Sequence, residues 1–222
     1  MARFAFTWEL GQGLGHLVRY LPLVRTLVER DDDVWFLVKN VGQAERVFSG
    51  LPVRIEQIEP GSTPRAQQLR TLNSYLEILR NFGFYLGALE KQVAAWIGMF
   101  GQIDSDLLVI DHSPMAMLAN RISKIPSIVS GTGFTVPPST TPMRPLRYWE
   151  LPARDNLLRI ERGVLRSANS ALRRFDAPPL QTLSQLFDCD VIWLLSFPKL
   201  DHYWERLQAS YYSNFAVSGH GE

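Results

Sequence analysis

The first third of the chain alternates two hydrophobic periods. Arg3–Trp8 is a short apolar run that reads as a strand, and from about His16 to Arg30 the residues Leu17, Leu21, Val24 and Val28 step along one face at helical spacing. Asp31, Asp32 and Asp33 form a turn, after which Val34–Val38 is uninterrupted apolar sequence, as in a parallel strand buried on both faces. A short helix is predicted over Gln43–Phe48 and a third strand over the alternating stretch Val53–Ile58. Parallel strands joined through helices need crossovers, so this βαβαβ order predicts an α/β fold. The expected form is a Rossmann-like parallel sheet with helices on both faces.

The pattern then changes. Residues 61–104 carry no strand signal and predict two helices, about Pro64–Arg80 and Phe84–Gly101, parted near Asn81-Phe82-Gly83. Leu107–Ile110 resumes the sheet and ends at Asp111, followed by a helix over Pro114–Ser123. A strand over Pro126–Ser130 comes next and runs into Gly131-Thr132-Gly133. Five prolines between residues 136 and 152 (Pro137, Pro138, Pro142, Pro145, Pro152) predict an irregular surface loop, because each removes a backbone donor. A helix over Arg154–Phe175, a turn at Pro178-Pro179 and a strand over Val191–Leu195 complete the reading, with no internal repeat. One domain over residues 1–222 is expected.

Composition narrows the functional classes. A net charge of +1 over 222 residues gives no global attraction to nucleic acid. Cys189 is the only cysteine, which excludes an internal disulfide and suits a cytoplasmic protein; its place before an apolar run suits a small core residue better than a nucleophile. No apolar stretch is long enough to span a bilayer. The helix over 154–175 gathers Arg159, Arg162, Arg166 and Arg173 near one face, either a solvated surface or a peripheral contact with anionic lipid or phosphate. His202 and His220 have no evident partner, and no residues show metal-ligand spacing.

The chemistry concentrates in Gly11-Gln12-Gly13-Leu14-Gly15-His16. Glycines at a strand–helix turn let the backbone bend sharply, and the imidazole opens the following helix. A dinucleotide site would need an acidic residue at the end of the second strand, where Lys39-Asn40 stands instead. If the parallel order holds, His16 and Asp111 face one crevice at the carboxyl ends of the strands. A carboxylate there would fix the tautomer of the imidazole and raise its basicity, preparing it to deprotonate a hydroxyl. A structural or capping role for His16, and an N-cap role for Asp111 ahead of Ser113-Pro114, are the alternatives. The Gly131–Phe134 segment would be another wall of that crevice, or only a turn.

These motifs in this order resemble the N-terminal domain of a B-fold glycosyltransferase, nearest the family 1 group of macrolide, flavonoid and sterol enzymes. Gly13-x-Gly15-His16-x5-Pro22-Leu23 is similar to that family's opening loop and helix. Asp106–Asp111 with Ala116, Ala119 and Ile125–Ile128 is similar to its central segment, and Asn169 to Leu180 with Leu200–Tyr203 to the stretch ahead of its interdomain linker. The resemblance implies that His16 is the base for an acceptor hydroxyl and that Asp111 pairs with it. It places the acceptor among Gly13, Gly15, the helices of 64–101, and Gly131, Thr132 and Phe134. It implies no cofactor or metal, only a nucleotide-sugar co-substrate held mainly by a second α/β domain. Such a transferase runs to about twice this length. The expected partners are therefore a small acceptor and a separate C-terminal donor polypeptide, unless the product is truncated or a non-catalytic module. The aromatic content of 64–101 (Tyr75, Phe82, Phe84, Tyr85, Trp96, Phe100) suggests an apolar acceptor.

Overall fold

The computed structural model describes residues 1–58, 74–85, 87, 89–147, 149–150, 152–203, 206 and 209–212. The strands are β1 (Arg3–Trp8), β2 (Asp33–Val38), β3 (Arg54–Gln57), β4 (Leu107–Asp111), β5 (Ser127–Gly131), β6 (Val191–Leu195) and β7 (Tyr211–Tyr212). All pair in parallel, in the order β3-β2-β1-β4-β5-β6-β7. The helices are α1 (Gly15–Val18), α2 (Leu21–Glu29), α3 (Val41–Val47), α4 (Tyr75–Asn81), α5 (Leu89–Ile103), α6 (Pro114–Ser123) and α7 (Arg154–Arg174). The Rossmann-like α/β arrangement expected from the sequence is therefore present.

Strand alternation separates two cores. Phe6, Trp8, Phe36, Val38 and Val109 point to one face and pack with Leu17, Val24, Leu27, Ala44 and Phe48 of α1–α3. Ala5, Leu37, Leu108, Ile110 and Val129 point to the other and meet α4–α7 through residues such as Leu79, Trp96, Leu118 and Leu172. Each such side chain, fully buried, is worth roughly 1.5–3 kcal/mol against exposure. Chain order reverses direction between β1 and β4, the switch point outside which open parallel sheets form their ligand crevice.

Three predicted helices differ in extent, each for a local reason. The helix expected over His16–Arg30 is two helices, because Pro22 has no N–H for the carbonyl of Val18 and its ring crowds that carbonyl. The break leaves Tyr20 buried between them. Helix α4 starts at Tyr75 behind a capping box of Ser74 and Glu77, and the predicted stretch from residue 64 to 73 lies outside the described residues. Gly83 and Gly87, at φ +94° and +85°, interrupt the helical path ahead of α5.

Strand β7 was not anticipated; two residues are too short to leave a period. Gly131 belongs to β5, so the turn begins only at Thr132. Asp33 opens β2 rather than belonging to the turn, and pairs with Arg3 at 3.1 Å and Arg54 at 3.4 Å on the amino edge of the sheet. Arg159, Arg162, Arg166 and Arg173 are exposed on α7 while Leu157, Val164, Ala168 and Leu172 are buried. Among the described residues, no helix is long and apolar enough to cross a membrane.

Candidate active site

Register decides what meets at the carboxyl edge. Trp8 pairs with Asp111 and Asp111 with Ser130, so the three lie in one row across β1, β4 and β5, pointing to the α1 face. The next residue on each strand, Glu9, His112 and Gly131, belongs to the opposite face.

On the α1 face, the His16 imidazole meets Asp111 with Nδ1 3.0 Å from Oδ1. The Tyr20 hydroxyl donates to Asp111 Oδ2 at 3.0 Å and lies 2.7 Å from the Ser130 hydroxyl. A phenol has one proton, so donation to Asp111 requires Ser130 to donate to Tyr20. The result is a chain, Ser130 to Tyr20 to Asp111, that orients the carboxylate and through it the imidazole. Burial, followed by the Asp111 charge, raises the Tyr20 pKa well above the phenol range, so Tyr20 stays a donor. Asp111 is 2% exposed and the His16 side chain 18%, so the carboxylate is enclosed while the ring reaches the crevice.

With Nδ1–H given to Asp111, Nε2 carries the lone pair, and no described residue hydrogen-bonds it. Gly13, at φ +88°, has its missing Cβ 3.8 Å from His16 Cδ2, the carbon next to Nε2, and Gly15 has nothing within 4 Å of that position. The loop thus keeps open space beside the basic nitrogen. Helix α1 spans only four residues, so its start is not a phosphate cradle.

The N-cap alternative for Asp111 fails. Ser113 occupies the N-cap of α6 without a side-chain cap bond, and the free N–H of Met115 goes to Glu9 Oε2 at 3.1 Å. Glu9 is also held through its own N–H, which donates to the Ser113 hydroxyl at 3.0 Å. Burial pushes its pKa from 4.5 up to about 8, against the bonds from the Met115 and Ala116 amides. The Trp96 indole approaches the same carboxyl group without completing a hydrogen bond of ordinary geometry.

His112 follows Asp111 in the left-handed region, φ +44°, and turns the other way. Its ring lies 5.4 Å from Phe82, 6.3 Å from Tyr75 and 6.0 Å, edge-on, from His16. Burial, with His16 adding to it, lowers its pKa to about 4 against the pull of Asp111.

Gly131 is glycine because a Cβ there would strike the Thr135 hydroxyl, and Gly133 because one would strike the Asp201 carboxylate. The Thr132 carbonyl accepts from the amides of Thr135 and Val136, both at 3.0 Å, which makes a closed turn of this wall. Phe134 is exposed and meets His202 edge-on at 5.8 Å. His202 is not without a partner: Nε2 lies 2.5 Å from the Leu146 carbonyl. His220 lies outside the described residues. Cys189 is half-buried with Sγ 3.1 Å from the Val191 carbonyl, and burial raises its pKa, as suits a packing residue. Among the aromatic residues of 64–101, Tyr75, Phe84, Trp96 and Phe100 are buried in the core, with Tyr75 and the partly buried Phe82 beside His112. The Lys39 stem lies 3.1 Å from the position of a Cβ on Gly11, filling space beside the first glycine. No group of three metal-ligating side chains occurs among the described residues.

Tyr20 and Ser130 were not singled out from sequence. For Tyr20 a signal existed: four residues after His16, it returns to the same side of the helical path. Ser130 is set by strand register, which one strand's sequence does not reveal.

The parallel sheet in this order, with His16 in the short helix after β1 and Asp111 ending β4, is a Rossmann-like fold shared with solved B-fold glycosyltransferases. Compared by sequence, the chain matches no family model and no curated protein. Compared by structure, it is similar to spinosyn rhamnosyltransferase SpnG complexed with thymidine diphosphate, with a TM-score of 0.60 and 13% identity, over 100% of this chain and 52% of that one. It is similar to glycosyltransferase VinC in complex with dTDP at a TM-score of 0.54 and 11% identity, over 95% and 52%. For SsfS6 from Streptomyces sp. SF2575 the values are 0.52 and 13%, over 90% and 52%. The chain therefore spans about half the length of these structures, and at such identities the likeness establishes the fold.

Proposed function

We propose that this chain is the acceptor-binding half of a nucleotide-sugar-dependent glycosyltransferase that moves a hexose to a hydroxyl of a small, largely apolar acceptor. The observation that carries the reading is the 3.0 Å pairing of His16 Nδ1 with Asp111, which leaves Nε2 as a base at the open end of the crevice. The acceptor hydroxyl gives its proton to Nε2 as its oxygen bonds the anomeric carbon. The bond from that carbon to the diphosphate breaks, and the nucleoside diphosphate leaves. Asp111 offsets the charge that His16 acquires. Gly13 and Gly15 make room for the hydroxyl, and Gly131, Thr132 and Phe134 form the far wall.

The donor is held mainly by a second α/β domain, in a longer form of this polypeptide or in a partner, seated over the same edge. Phe134 and Phe197, exposed near the ends of β5 and β6, suit such a contact. Two of the similar structures hold thymidine diphosphate, so a thymidine-diphosphate hexose is the donor class to try first. With the chain joined to the donor half of a B-fold enzyme, transfer to hydroxyl compounds is expected, and His16→Ala should lower kcat by about 10²–10⁴-fold. Unchanged turnover in His16→Ala removes the assignment of the base.

A further inference from the structure

Beside the His16 pairing, on the α4 face, lies a group of polar atoms that the proposed chemistry does not use. Both ring nitrogens of His112, Glu9 Oε1, the Tyr75 hydroxyl and the Tyr203 hydroxyl are buried with no hydrogen-bond partner among the described residues. Their residues are 4%, 7%, 0% and 5% exposed. They come from separate parts of the fold: the residue after β4, the residue after β1, α4 and the segment after Asp201. Tyr75 lies within electrostatic range of both Glu9 and Tyr203, and its ring is 6.3 Å from that of His112. Native proteins leave few buried polar atoms unpaired, and such atoms at the edge of a ligand crevice point to a ligand that pairs them.

Resting on the acceptor-site reading above, we infer that His112 is a specificity-determining residue that binds a second oxygen of the acceptor close to the reacting hydroxyl. The ring spacing supports that proximity. The His16 and His112 rings are 6.0 Å apart, centre to centre, and meet at an edge. A hydroxyl on His16 Nε2 and a second oxygen on a His112 nitrogen then belong to one small fragment of a molecule. Phe82, partly buried beside the His112 ring, would flank the carbon frame of that fragment. A neutral imidazole both donates and accepts, so hydroxyl and carbonyl oxygens fit equally. With its pKa held down at about 4, His112 reads the second oxygen without competing with His16 for the proton. The sheet's alternation makes this division of labour: Asp111 goes to one face to orient the base, and its neighbour goes to the other.

The test uses the whole chain labelled with nitrogen-15 in its histidines and titrated with catechol, which has two adjacent hydroxyls, and with phenol, which has one. Catechol is expected to bind about five- to tenfold more tightly, the effect of one added neutral hydrogen bond. It should move the ring nitrogen signals of both His16 and His112, whereas phenol moves those of His16 alone. His112→Phe should erase the preference, and His112→Asn, which tolerates the left-handed backbone and keeps a donor and an acceptor, should retain part of it. Equal affinity for the two probes, with His16 signals moving in both titrations, overturns the role of His112 and leaves the acceptor site standing. Titrations in which neither probe moves His16 overturn both readings. The signals of the unsubstituted chain decide the matter even if His112→Phe fails to fold.

Discussion

The two faces of the sheet meet the carboxyl edge in opposite states. On the α1 face, Asp111 engages His16 with one oxygen and Tyr20 with the other, and Tyr20 is itself held by Ser130. One residue beyond the same two strands, Glu9 and His112 are equally buried, yet among the described residues Glu9 keeps one oxygen and His112 both nitrogens unpaired. A carboxylate that orients a base must be settled before substrate arrives, because preorganised groups need no rearrangement during reaction. A group that reads a substrate must keep open valences until then. On the proposed reading the first is the catalytic arrangement and the second the recognition surface, and the two lie side by side.

Three substitutions probe the contrast, beginning with the largest effect. Asp111→Asn keeps the shape of the relay but replaces the carboxylate that offsets the His16 charge. Turnover in the joined enzyme should fall on the order of 10²–10³-fold with the KM of the acceptor little changed. A rise in KM at constant kcat would make Asp111 a binding residue instead.

Tyr20→Phe removes a donor from Asp111 and strands the Ser130 hydroxyl in a buried site. A loss of about 1–3 kcal/mol in unfolding free energy is expected, together with a smaller drop in turnover. Chemical denaturation of the chain alone measures the first. No change in stability would show that this face is not the tightly paired one.

Glu9→Gln acts on the unpaired face and has the smallest effect. The folded pKa of Glu9, about 8, is above its ordinary value of 4.5. The stability tied to its proton is therefore present below pH 4.5 and is lost as pH rises through about 8. His112, lowered from 6.5 to about 4, acts with the opposite sign: stability rises with pH across that interval and is constant above it. Between pH 6.5 and 8 only the Glu9 slope remains of the two. Melting temperature should decline across that window in the unsubstituted chain and decline less in Glu9→Gln. Equal slopes would mean that the Glu9 carboxyl is not held protonated by burial.

Much of this arrangement was legible in the sequence. The continuous apolar run of Val34–Val38, the glycine turn after Trp8 and the strand ending at Asp111 specified a parallel α/β sheet. That architecture alone carries His16 and Asp111 to the same edge. Helix limits were less legible where a single residue overrode a period: Pro22 divides the first helix, and Ser74 with Glu77 starts α4 at Tyr75. The aromatic residues of 64–101 shared one composition but not one role, since composition does not say which side of a helix meets the sheet.

The sequence by itself determined the fold class and pointed to His16 and Asp111 as a pair, because hydrophobic period and the punctuation of glycine and proline are local properties. Tertiary structure alone decided the rest. Strand register set Ser130 level with Asp111, and Glu9, not Asp111, caps α6. The pleat sent His112 away from Asp111 into an aromatic wall, its ring 6.0 Å from that of His16. Each of these depends on which strands lie next to each other and at what offset, and those are properties of the assembled sheet rather than of any one segment.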